Sequence, residues 1–237
     1  MNIDQLILDH KCKKLGSPTS VVKIANIPTD IFDNVKNIIY NKYNLEDEVY
    51  ATKEFVFYKT RRIVGKTPHM MTTEQKYSTL DFDYDLLEIC DPIIKEVQKY
   101  LPNSEPSLLQ LATILPGQKL KWHMDTYLYQ QFSNKIHIPL QTNEQATYEV
   151  FLEDKTYKKE HMIQGSIWNI NNLELHRSVN LGTTARTHII MDFIDCSVLN
   201  RLNNTGINYF HHNLPYMTAY SEKVMKILNN ILTNNDE

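Results

Sequence analysis

Two histidines, one aspartate and one arginine carry the first chemical signal of this chain: His123 and Asp125 flank Met124, His176 follows in a distant segment, and Arg186 lies further on. Two imidazoles and one carboxylate can occupy one face of an octahedral Fe(II) and leave the opposite face open to reactants. A guanidinium nearby would receive an acidic co-substrate, because its planar fork pairs with a carboxylate through two parallel hydrogen bonds.

The spacing sets what the backbone must do. Side chains two apart leave an extended strand from the same face, whereas on a helix they point about 200° apart. His123 and Asp125 therefore require a strand. His176 must arrive from a neighbouring strand, and Arg186 heads the apolar run Thr187 to Ile194, which reads as a buried strand. With nine histidines in the chain, a His-x-Asp tripeptide arises easily by coincidence. The weight rests on the conjunction of triad, arginine and strands.

The elements that would hold these residues change character along the chain. Val21 to Ala25 predicts a short strand, followed by a helix capped by Thr29 or Asp30 with Ile31, Phe32, Val35, Ile38 and Ile39 at helical spacing. Glu54 to Tyr58 predicts another strand, and the basic stretch with Arg61, Arg62, Lys66, Pro68 and His69 a loop. Asp83 to Tyr100 predicts helical material, with Asp91-Pro92 able to restart it. From Ser107 strands dominate: Leu108 to Leu115, the turn Pro116-Gly117, Lys119 to Asp125, Lys135 to Leu140, Thr147 to Leu152, His161 to Asn169 and Arg186 to Asp195. Pro215 to Leu232 predicts a closing helix.

This order implies a mostly β fold with flanking α: a double-stranded β-helix core, jelly-roll and cupin-like, with N-terminal helices and a C-terminal helix. One domain is expected over 1–237, with an α/β support region at 1–105, the catalytic core at 106–196 and a helical closure at 197–237.

A hydrophobic share of 42% and a charged share of 22% suit a globular protein, and a net charge of −3 supplies no basic field for nucleic acid. Cys12, Cys90 and Cys196 form no Cys-x-x-Cys motif, no run is long enough to span a bilayer, and the amino terminus lacks a signal-peptide core. A reduced, cytoplasmic setting without membrane or nucleic-acid partners is expected.

The stretch from about Ser107 to Phe193 resembles the aspartyl/asparaginyl β-hydroxylase-like 2-oxoglutarate and Fe(II)-dependent oxygenases. The likeness is carried by ATILPGQKLKWHMD, KIHIPLQTN and GSIWNINNLELHRSVNLGTTARTHIIMDF, in that order and spacing. The resemblance implies that His123, Asp125 and His176 bind iron and that Arg186 holds the distal carboxylate of 2-oxoglutarate. It also implies that Lys135 and His137 help bind that co-substrate. Lys135 stands where the family usually has Arg, replacing a planar fork with a point charge. Animal namesakes lack the acidic ligand, so Asp125 brings this chain nearer the bacterial branch.

The implied cofactors are Fe(II), 2-oxoglutarate and O2. The implied reaction is hydroxylation of an aliphatic C–H bond, on an amino-acid side chain either free or within a polypeptide, with release of succinate and CO2. Several residues keep two readings. His137 is a core histidine satisfied by a backbone carbonyl or a co-substrate contact, and Trp168 is a packing residue or a substrate platform. Asn171, Asn172 and Asn180 fit turns. His161, His188, His211 and His212 lack a carboxylate at ligand spacing and read as structural or solvated. Thr126 to Phe132, with Tyr127, Tyr129 and Gln130, is a surface loop or a lid. Arg61 and Arg62 are a solvated turn or a substrate-carboxylate contact. The rivals to an oxygenase are a cupin-like protein that binds metal or a small acid without oxygen chemistry, and a structural jelly roll such as a capsid component.

Overall fold

In a computed structural model, the described residues are 21–43, 59–64, 84–125, 128–151 and 156–198. They are mostly β. Strands β1 (Val21–Asn26), β2 (Lys59–Val64), β3 (Ser104–Ile114), β4 (Ser133–Gln141), β7 (Ser166–Ile170) and β9 (Arg186–Asp195) form one antiparallel sheet in the order β1-β7-β4-β9-β3-β2. Strands β5 (Ala146–Phe151), β6 (Tyr157–Glu160) and β8 (His176–Asn180) form a second, in the order β6-β5-β8.

The alternation of strand side chains divides the large sheet into two chemistries. Leu109, Leu111, Ile136, Ile138, Ile189, Met191 and Phe193 pack against helices α1 (Thr29–Lys42) and α2 (Tyr84–Gln98), meeting Phe32, Val35 and Ile39 of the first and Leu86, Ile93 and Val97 of the second. Each such Ile, Leu or Phe contributes about 1.5–3 kcal/mol by leaving water. The other face carries Gln110, Ala112 and Ile114 on β3, Lys135 and His137 on β4, and Arg186 and Ile190 on β9, all lining a cavity. That cavity is closed opposite by Tyr148 of β5 and His176 and Ser178 of β8. The helices support a wall whose far side holds the polar groups.

Several sequence expectations are met closely, β9 to the residue. Others differ. The segment from Lys119 to Asp125 is not a continuous strand; it is tied to β8 by single bridges at Lys119–Val179 and His123–His176. Arg61 and Arg62 lie inside β2, paired with β3 opposite Leu111 and Gln110, rather than in a loop. Helix α1 has Pro28 at its start and no side-chain cap there, and α2 runs through Pro92 without restarting. His161 precedes β7 instead of lying in it, because Gly165, at φ 74°, takes a left-handed turn before Ser166. Pro139 has no N–H for the ladder, and the β4–β9 register slips between Pro139 and Gln141. The strand expected at Glu54 to Tyr58, Lys66, Pro68, His69, His211, His212 and the helix expected at Pro215 to Leu232 lie outside the described residues. Among the described residues no helix is long and apolar enough to cross a membrane.

Candidate metal centre and anion pocket

His123 and His176 exchange both backbone hydrogen bonds, His123 N–H to His176 O at 3.0 Å and His176 N–H to His123 O at 2.9 Å. Residues paired in this way project to the same side of the ladder, and the two rings stand 4.3 Å apart between centroids. Asp125, two positions on, is fixed by its N–H to the Asn172 carbonyl at 3.0 Å. The result is that one ligand atom from each of His123, Asp125 and His176 lies within 4.8 Å of the others. The separated segments are brought together by main-chain bonds, before any ion contributes.

The ring tautomers follow from the partners. His123 Nδ1 meets the Lys121 carbonyl at 2.9 Å and His176 Nδ1 meets the Glu174 carbonyl at 2.8 Å. A carbonyl only accepts, so both Nδ1 atoms carry the proton and both Nε2 lone pairs are left for a metal. Asp125 is arranged to the same end: the Asn172 amide donates to its Oδ2 at 3.0 Å, and the Lys135 ammonium sits 3.1 Å from that same oxygen. Both donors fall on Oδ2, so among the described residues Oδ1 is left to coordinate.

Burial alone would raise the Asp125 pKa, but Lys135, the two imidazoles and the Asn172 bond hold its carboxyl well below the usual carboxylate range. Burial, then the nearby His123, pushes His176 down to about 3. The site is thus an anionic carboxylate with a neutral imidazole, the protonation states in which these groups bind metal. Replacing Asn172 with Ala removes an outer hydrogen bond to a ligand carboxylate; metal affinity, read by titration of the metal-free protein, should fall about 10- to 100-fold. Unchanged affinity would remove Asn172 from the site.

A second group of buried polar residues lies along the same cavity. Arg186 is 2% exposed at the head of β9, and its Nη2 donates to His188 Nδ1 at 3.1 Å. Arginine cannot accept, so His188 is a neutral ring with its proton on Nε2. Burial first, then Arg186, puts the His188 pKa well below its ordinary value, and the same two causes depress His137. His137 and Tyr148 line the cavity, and among the described residues neither the His137 Nδ1 nor the Tyr148 hydroxyl has a hydrogen-bond partner. The turn into β9 is held by Asn180, whose amide donates to the Ile114 and Thr184 carbonyls, both at 2.9 Å, and accepts from Asn143 at 3.0 Å.

The sequence-derived site residues therefore share one cavity: His123, Asp125, His176, Lys135, His137 and Arg186 all line it. Lys135 is engaged on the metal side, bridging Asp125 and the fully buried Asp192 at 3.3 Å. Trp168 is a packing residue, donating its indole N–H to Ser166 at 2.6 Å within a cluster with Tyr148 and Ile170. His161 lies against the Ala146 carbonyl, and Gln130 is buried in a short 3-10 turn, Leu128–Gln131. Asn171 makes the expected turn by accepting from the Leu173 N–H. Asn172, His188, Asp192 and Tyr148 were not singled out as functional by sequence reasoning. For β9 a signal existed: Arg186, His188 and Asp192 fall on one face of a single strand, at even spacing.

Three buried neutral histidines make stability depend on pH in a definite direction. In the unfolded chain His137, His176 and His188 take up protons near pH 6.5, while the folded protein resists until far lower, about 3 for His176. Their folded pKa values are depressed, so stability is fully present above about pH 6.5 and drains as pH falls toward the folded values. The metal-free protein should lose up to ~4 kcal/mol per pH unit below that point, as three protons at ~1.36 kcal/mol each. Urea unfolding at pH 7, 6 and 5 reads this directly, and a flat profile would contradict the burial of these rings as neutral groups.

No protein-family model matches the chain, and no curated protein sequence matches it. Solved structures do. An oxidoreductase of the 2OG-Fe(II) oxygenase family from Burkholderia pseudomallei aligns over 82% of this chain and 92% of its own, at 12% identity and a TM-score of 0.52. The non-heme alpha ketoglutarate dependent epimerase SnoN from nogalamycin biosynthesis aligns over 81% of this chain and 80% of its own, at 6% identity and a TM-score of 0.52. The fold is that of the 2OG-Fe(II) oxygenases.

Proposed function

We propose that this protein is an Fe(II)- and 2-oxoglutarate-dependent dioxygenase built on a jelly-roll core, of the aspartyl/asparaginyl β-hydroxylase-like kind. It hydroxylates an aliphatic C–H bond of an amino-acid side chain, free or in a polypeptide, and releases succinate and CO2. The observation that carries this reading is the convergence of His123, Asp125 and His176 in the cavity that also holds Arg186. A metal site alone has no use for a buried guanidinium in the same cavity.

The residues present fit the groups that the reading requires. Two Nε2 lone pairs and Asp125 Oδ1 would hold Fe(II), and two imidazoles with one carboxylate are the donor set that leaves positions open on that metal. When bound, the iron and co-substrate supply the oxidising power for C–H hydroxylation, which no protein side chain provides. This chain's residues perform the remaining work. Arg186 receives the distal carboxylate, pinned by His188 so that little orientation is lost on binding. His137 offers a buried nitrogen without a partner among the described residues, and the apolar walls at Ala112, Ile114 and Ile190 exclude water from the charged pair.

The test is to incubate iron-loaded protein with 2-oxoglutarate, O2 and candidate amino acids or a peptide library, following succinate and a mass gain of one oxygen. Succinate with a hydroxylated product supports the reading. If anaerobic titration of 2-oxoglutarate into the Fe(II) protein yields no visible charge-transfer band, a binding protein without oxygen chemistry is the better description.

A further inference from the structure

We infer that Tyr148, a residue outside the triad and the arginine pocket, is a co-substrate-binding residue: its hydroxyl donates a hydrogen bond to the oxo acid held between the metal face and Arg186. The inference rests on the proposed function and adds a contact that selects the anion.

Tyr148 projects from β5 across the cavity from the large sheet, beside Ala146 and Val150 on the inward face of its strand. Its ring is stacked on the candidate metal ligand His176, with centroids 5.4 Å apart and planes at 21°. On its other side the edge of His137 stands 5.7 Å away. The phenol thus lies between the two halves of the site. It is 2% exposed, it lines the cavity, and among the described residues its hydroxyl has no hydrogen-bond partner.

A buried hydroxyl without a partner forfeits its bonds to water and gets nothing in exchange, so such groups are rare and call for a reason. Packing does not supply one, since phenylalanine would fill the same space without the loss. The surroundings do: the cavity has a volume of about 60 Å³, well above the ~10–15 Å³ that one water needs. It also contains a metal face at Asp125 and a cation at Arg186. The phenol ring stands between His176 on the metal side and His137 on the large sheet, in the same cavity as those groups. A phenol ordinarily keeps its proton to about pH 10, so the hydroxyl is a donor at any working pH.

The experiment is Tyr148→Phe, which deletes one oxygen and leaves the ring stacked on His176. Three readings are taken: melting of the metal-free protein, Fe(II) affinity, and anaerobic 2-oxoglutarate affinity of the Fe(II)-loaded protein. The expected result is a melting temperature equal to or above wild type, unchanged metal affinity, and 2-oxoglutarate binding about 10-fold weaker or more, the usual scale for a hydrogen bond to a charged acceptor. Co-substrate affinity within about twofold of wild type overturns the inference. So does a lower melting temperature in the metal-free protein, which would show that the hydroxyl has a structural partner, or a parallel loss of Fe(II) affinity, which would assign Tyr148 to His176 alone. Wild-type protein that takes up no 2-oxoglutarate sinks the functional reading itself, and with it this contact.

Discussion

His176→Ala should bring succinate formation below detection while leaving the protein folded. On the proposed reading the side chain supplies one of three ligand atoms, and its loss would leave His123 and Asp125 with too few donors to retain Fe(II) at micromolar metal. The backbone pairing between positions 123 and 176 uses only main-chain atoms, so the extended segment that presents His123 and Asp125 survives the substitution. Its expected signature is therefore a near-native far-ultraviolet circular dichroism spectrum with metal binding gone. Succinate production at the wild-type rate would rule out the triad, whatever the fold does.

Arg186→Met separates the two halves of the site. Methionine keeps the apolar stem and discards the guanidinium, so on the proposed reading the distal carboxylate would lose charged hydrogen bonds inside a buried pocket. Such bonds contribute ~1.5–3 kcal/mol each, and losing two raises the apparent Michaelis constant for 2-oxoglutarate about 100-fold or more. Iron affinity should be nearly unchanged, because His123, Asp125 and His176 are oriented by Lys121, by Asn172 with Lys135, and by Glu174. The check is a pair of titrations, metal into the metal-free protein and 2-oxoglutarate into the Fe(II) form under anaerobic conditions. An unaltered Michaelis constant would release Arg186 from its assignment.

Much of this arrangement was legible in the sequence where the physics is local. A period of two places His123 and Asp125 on one face, and the continuous apolar run after Arg186 marks β9 from end to end. The short strand β8 was harder to place because the charged Arg177 breaks its pattern; that residue points outward, where it pairs with Glu149 at 2.6 Å and covers Trp122. Arg61 and Arg62 look like a loop for the same reason, since polar strand residues carry no apolar period. Relations across strands were invisible. Asn172 reads as a turn residue until Asp125 is brought to it from another segment, and no pattern in the sequence announces the ion pairs of Lys135 with Asp125 and Asp192. Tyr148 resembles ordinary packing, because the missing partner of a hydroxyl is a property of three dimensions.

The Lys135 bridge has a consequence for how the site fills. It sets an ammonium against both Asp125 and the buried Asp192, so the carboxylate that lines the cavity already has a countercharge beside it. On the proposed reading, a divalent cation and a dicarboxylate would enter the same poorly screened space with opposite charges, and each would offset the other's field. Each would then favour the other's binding, and by the same factor in either order of addition.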